Sequence, residues 1–93
     1  MKKYEFIGNE YILQENYKDG FNKDEVLERV TDYFEDFDYI FGDYAYDKLR
    51  LKGFYDKEHS KKREVNSIEY LDNYVKNYCA YGAKWFLLKK NKK

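Results

Sequence analysis

At 93 residues and 11.5 kDa the chain has room for one domain, and a domain of this size buries only about 60–65% of the surface its unfolded form exposes. Aromatic residues make up 22% of it, with 12 Tyr, 7 Phe and 1 Trp, which excludes a disordered chain despite a charged fraction of 39% and a mean hydropathy of −1.03. One cysteine, Cys79, excludes an internal disulfide framework and fits a reducing compartment.

Charge is formally balanced but unevenly placed. Residues 1–47 carry 5 basic and 13 acidic groups, a net of −8, and residues 48–93 carry +8. Such a split is either neutralised inside the fold or displayed as a two-faced surface whose basic side meets an anionic partner. The opening stretch MKKYEFIGNEY lacks the apolar run of a signal peptide, and no segment approaches the length of a membrane span. The expected setting is the cytoplasm, with no membrane partner.

Along the chain, KYEFI and EYILQ are two runs of strand formers separated by Gly8-Asn9, a two-residue hairpin signal. Asp19-Gly20 then marks a turn. A helix is expected from Asn22, whose spacing to Glu25 resembles a capping box. Val26, Leu27, Val30, Tyr33, Phe34 and Phe37 recur at helical spacing, opposite Asp24, Glu25, Glu28, Asp32, Glu35 and Asp36. DYIFG and LRLKGFY read as the next two strands, joined through GDYAYD, where Gly42 and Asp43 suit a bulge or tight bend. Residues 56–66 form a charged loop. A second helix is expected from Asn66 or Ser67, with Ile68, Leu71, Val75, Tyr78 and Cys79 inward and Gly82 at its C-terminus. KWFLLKK is the last strand, before a lysine tail.

The order β-β-α-β-β-α-β predicts an α+β domain over residues 1–90, with 91–93 as a basic tail. Two helices would pack on one face of a mostly antiparallel sheet of about five strands. Leu49, Leu51 and Tyr55 would face them, leaving Arg50, Lys52 and Phe54 on an open face.

Three stretches carry a family resemblance. They are Y-x-L-x-E-x-Y-x-D-G-F at Tyr11 to Phe21, D-Y-I-x-G-D-x-x-Y-x-x-L-R-L-K-G-F at Asp38 to Phe54, and Y-L-x-x-Y-x-x-x-Y-C-x-x-G-x-x-x-F-x-L-K-K at Tyr70 to Lys90. Together they resemble the YutD-like family of small bacterial proteins, over about residues 11 to 90. In that family a Trp usually stands where this chain has Tyr44, and a second Cys where it has Ala83. The resemblance implies a fold and a bacterial cytoplasmic setting; it supplies no activity.

The chemistry-bearing residues are few. His59 lies in the most polar loop and Cys79 near the end of a helix, so a nucleophilic Cys-His pair would need that loop to fold back. There is no Cys/His cluster for a metal and no glycine-rich phosphate loop. Accordingly no catalytic residue, metal or cofactor is expected. Asp43 and Arg50 read as a carboxylate satisfied by its guanidinium. Lys52-Gly53-Phe54-Tyr55 resembles the base-stacking strand of RNA-recognition motifs. The second strand at Tyr11 to Gln14 and the Asp at position 56 break that likeness.

What remains is a row of bases and rings, Arg50, Lys52 and Phe54, with Lys84 on a neighbouring element; such a surface suits phosphates and unstacked bases. Tyr44 and Tyr46 are not explained by a turn and form a candidate rim with Asp43. The first functional expectation is therefore a non-enzymatic binding or regulatory module contacting RNA or a ribonucleoprotein. The second is a protein–protein adaptor that uses the acidic first helix and the Tyr44/Tyr46 rim.

Overall fold

The expected element order is present in the computed structural model, which describes residues 2–61, 63, 66–78 and 83–91. In sequence these are β1 (Lys3–Phe6), β2 (Asn9–Tyr17), α1 (Lys23–Arg29), a 3-10 segment η1 (Asp32–Asp36), β3 (Tyr39–Ala45), β4 (Lys48–Phe54), a second 3-10 segment η2 (Ile68–Tyr70), α2 (Leu71–Tyr78) and β5 (Trp85–Lys90). The domain is α+β, built on one five-stranded antiparallel sheet in the order β1-β2-β5-β3-β4.

Local chemistry explains where the elements start and stop. The first hairpin turns on Ile7-Gly8, with φ of 48° and 76°, one residue earlier than the expected Gly8-Asn9. Asn9 sits instead in the pair with Phe6, its side-chain amide donating back to the Ile7 carbonyl at 3.2 Å. Asn22 caps α1 as its spacing indicates, its side-chain oxygen accepting from the Glu25 amide at 3.1 Å. The helix then stops at Arg29, short of the expected run to Phe37. Val30 and Thr31 are both β-branched and adopt extended backbone, and the chain re-enters helical geometry only as η1. The periodicity of Phe34 and Phe37 survives this break because a 3-10 turn also returns a side chain to one side every three residues.

The GDYAYD connection also differs from expectation. Gly42 and Asp43 lie in the middle of β3, and the turn is Tyr46-Asp47, with φ of 52° and 63° at its two central residues. Two consecutive left-handed residues define the mirror-image turn whose twist matches a two-residue hairpin.

Helix placement departs from the one-face layering expected for Leu49, Leu51, Tyr55 and the rest. One core contains Phe6, Tyr11, Val26, Phe34, Phe37, Ile40, Leu49, Tyr55, Phe86 and Leu88, closed by α1 and η1. A second contains Tyr39, Phe41, Phe54, Leu71 and Leu87, with Ile68, Tyr74, Val75 and Trp85 against it, closed by η2 and α2. Since alternate residues of a strand point to opposite faces, the two helices cover opposite sides of the sheet. The cause is visible in β3 and β5. Tyr39, Ile40 and Phe41 are buried in succession, as are Phe86, Leu87 and Leu88. Strands without a polar face need cover on both sides.

Glycine makes room for this packing on the α1 side. A Cβ at Gly42 would run into the Phe86 ring, and one at Gly53 into the Phe37 ring. Phe37 in turn stacks on Tyr55 at 4.6 Å between centroids.

Candidate functional site

The proposed open face is closed. Phe54 is 0% exposed and lies beneath α2, its ring 5.7 Å from that of Tyr74 and 6.4 Å from that of Phe41. It is a core residue and offers no stacking platform. Arg50 and Lys52 do share its side of β4, as expected, but each is engaged within the molecule. Arg50 forks onto Asp43, directly opposite on β3, with Nε to Oδ1 at 3.1 Å and Nη2 to Oδ2 at 2.5 Å. The Asp43 carboxylate is almost wholly buried while the Arg50 side chain is 46% exposed. The guanidinium thus forms a two-pronged, charge-assisted pair with a carboxylate held inside the sheet. The Lys52 amine sits 5.2 Å from the Phe54 ring and 5.4 Å from the Tyr74 ring, a cation on the rim of the second core.

Tyr44 and Lys84 lie together on the opposite, α1 side. The Lys84 amine is 4.4 Å from the centre of the Tyr44 ring. Burial and the Glu25 carboxylate, which takes the phenol's hydrogen bond, push the Tyr44 hydroxyl up to about 12. Tyr44 is thus a link between β3, α1 and the start of β5 rather than half of a rim. Tyr46 alone projects, 98% exposed at the tip of the β3–β4 turn in a left-handed backbone that a bulky side chain adopts only at a cost. The seven candidates accordingly fall into three places: Asp43, Arg50, Lys52 and Phe54 under or beside α2; Tyr44 with Lys84 by α1; and Tyr46 at the tip.

The charge split is partly neutralised inside the fold. Among the described residues, Asp43–Arg50 and Asp36–Lys61, the latter at 3.7 Å, join the acidic half to the basic half. The Lys90 amine reaches the Glu35 carbonyl at 2.6 Å. Cys79 and Gly82 fall outside the described residues. His59 is tied locally, its ring 4.4 Å from Tyr55 and its Nδ1 accepting from the Lys61 amide at 3.0 Å.

A different surface emerges on the α1 side. Residues 23–36 carry six acids against two bases, and within them Tyr33 is 70% and Leu27 49% exposed. The Tyr33 ring leans on Phe34 and Phe37 at 5.1 and 5.4 Å, so it is held in place while open to solvent. Beside it, Glu28, Arg29, Phe34, Leu49 and Leu51 line a shallow groove between α1, η1 and β4. Helical periodicity hides this arrangement, because Leu27 and Tyr33 read as part of one inward stripe, whereas α1 buries Val26 beside Leu27 and the helix ends at Val30-Thr31 before Tyr33. Among the described residues no group of three His, Cys, Asp or Glu side chains is placed to hold a metal ion, and no helix is long and apolar enough to cross a membrane.

A family model described as "Putative antitoxin YutD-like" matches residues 3–89. The chain is similar to the protein named "Putative antitoxin YutD" of Bacillus subtilis (strain 168). The two are 42% identical over 84 residues, covering 90% of this chain and 92% of that protein. It is also similar to the solution NMR structure of protein yutD from Bacillus subtilis, with a TM-score of 0.83 at 38% identity; the match covers 100% of this chain and 84% of that one. On the strength of a match along nearly its whole length, the chain belongs to the YutD-like family.

Proposed function

We propose that this protein is a non-enzymatic protein-binding module that holds a basic polypeptide partner against its α1–η1 face, in the manner the antitoxin name of its relative suggests. The observation that carries the reading is the surface itself. Leu27 and Tyr33, both exposed, lie in a segment, residues 23–36, whose acids Asp24, Glu25, Glu28, Asp32, Glu35 and Asp36 outnumber its bases Lys23 and Arg29. Such a surface steers an oppositely charged partner and anchors it through an aromatic residue. The Tyr33 ring, braced by Phe34 and Phe37, loses little further freedom on docking. The alternative of RNA as partner keeps Lys48, Lys52 and Lys84 but loses Phe54 as a stacking ring.

Site-specific photocrosslinking in cells separates the two. A crosslinker at Tyr33 is expected to capture a basic polypeptide, and Glu28→Lys with Asp32→Lys to abolish the capture. A crosslinker at Lys52 that traps RNA, with nothing trapped at Tyr33, would overturn the reading.

A further inference from the structure

β4 ends the sheet, and its outer edge changes character along its length. Among the described residues it pairs along its length on one side only, with β3. At its far end the outward groups of Tyr55 are already used: the Tyr55 amide donates to the Asn66 carbonyl at 2.7 Å, and its carbonyl accepts from the Ile68 amide at 2.8 Å, in a parallel bridge with Ser67. The Phe54 carbonyl points the other way, toward β3, where it accepts from Asp38 at 3.0 Å. Outward and inward groups alternate along a strand, so the amides and carbonyls of Leu49, Leu51 and Gly53 point outward too. None of them bonds to another described residue. Leu49 is 3% exposed and Gly53 buried, with Leu51 partly open between them. Unpaired backbone groups that are also shielded from water are costly, and strand addition satisfies them.

We infer that the edge of β4 between the Tyr46-Asp47 turn and the Tyr55–Ser67 bridge docks an extended segment of a partner protein in which apolar and acidic side chains alternate. The pattern follows from the two sides of β4. Side chains of the incoming strand that point toward α1 meet Phe34, Leu49 and Leu51, the floor of the groove between Glu28 and Arg29. Those that point toward α2 meet Lys48 and Lys52, which flank the Arg50–Asp43 pair, and opposite charges across a strand pair are favourable where like charges are not. A second copy of this chain is a poor occupant for the same reason. Antiparallel pairing of two β4 edges about Leu51 would set this basic row against itself.

This site borders the acidic α1–η1 face and shares Glu28 and Phe34 with it; both rest on the protein being a binding module, and its test reads the β4 edge instead of Tyr33. The probe is a capped eight-residue peptide of alternating valine and glutamate, titrated into isotopically labelled protein with amide hydrogen exchange followed by NMR. Exchange at Leu49, Leu51 and Gly53 is expected to slow, with little change at Arg50 and Lys52, whose amides already face β3. A valine–lysine peptide should bind about tenfold more weakly or worse, and Lys48→Glu with Lys52→Glu should invert the preference, with Lys52→Gln as the control for the loss of its contact with Phe54 and Tyr74. Equal protection by both peptides, or by neither, overturns the proposal. So does an oligouridylate that displaces the valine–glutamate peptide, since that assigns the basic row to nucleic acid. Crosslinking at Tyr33 should be unaffected by the Lys48 and Lys52 changes, so failure of one site is distinguishable from failure of the other.

Discussion

The two faces of the sheet are closed by different means. On the α1 side, ten buried residues from all five strands and both preceding helical segments form the larger core, and rings lie directly over glycine: Phe86 over Gly42 and Phe37 over Gly53. On the α2 side the core cluster holds five buried residues among the described ones, and much of the cover is rings meeting edge to face, with Lys52 and Lys89 amines at the margin. The first face spends its backbone on close approach. The second spends long cationic stems to finish a core that its short helix cannot close alone. The proposed surfaces divide the same way, since the acidic Tyr33 segment and the groove lie on the first face and Lys48 and Lys52 on the second.

The largest expected effect tests whether the second face is a core at all. Phe54→Ala should cost about 3–5 kcal/mol, the usual penalty for emptying a buried aromatic site, measured by urea denaturation. On an open face the same change would cost well under 1 kcal/mol. Leu71→Ala should fall in the same direction by about 2–5 kcal/mol, because Leu71 is the α2 residue buried in that core. A near-neutral result for both would mean α2 is not docked there.

Those expectations show what could be read from the residues. Element order, the Asn22 cap, the Asp43–Arg50 pair and the amphipathic character of residues 68–75 are local and follow from spacing. Helix placement is not local. The alternation of LRLKGF describes a strand with one wet side, and Lys52 does keep its amine at the margin. Phe54 is nevertheless buried, because α2 begins just after the chain crosses back along β4 at the Tyr55–Ser67 bridge. A legible signal for two-sided cover lay in YIF and WFLL, continuous apolar runs that no one-faced sheet would contain. The exposed Tyr33 was hidden for another reason: a 3-10 segment and an α-helix share the same three-residue return, so periodicity alone does not show where an amphipathic run breaks.

A smaller effect sharpens the comparison at the strand pair. Arg50→Ala should destabilise the fold by about 3 kcal/mol, because it takes both prongs of the fork and the paired positive charge from the buried Asp43 carboxylate. Asp43→Ala should cost less, about 1–2 kcal/mol, since the half-exposed guanidinium can turn to water. Equal losses would mean that Asp43 is hydrated in solution. The double variant should recover part of the Arg50→Ala loss, which a double-mutant cycle measures directly.

The smallest effect belongs to the α1 side alone and appears only at high pH. Tyr11 and Tyr44 both lie on that face, and each phenol is raised from 10.0 to about 12, chiefly by burial, with Glu35 adding to Tyr11 and Glu25 to Tyr44. The folded state thus favours the protonated phenols. Their contribution to stability is intact below pH 10, where the unfolded chain also keeps its protons, and is lost as pH rises toward 12. Thermal unfolding followed across that window should show Tm falling more steeply than in the Tyr44→Phe variant, with Glu25→Gln reducing the slope by a lesser amount. Tyr11→Phe should flatten it as well, and at little cost below pH 10, because the Tyr11 hydroxyl is buried without a hydrogen-bond partner. If neither phenylalanine variant changes the alkaline slope, the two hydroxyls reach water in solution, and the α1 face is looser than its packed rings imply.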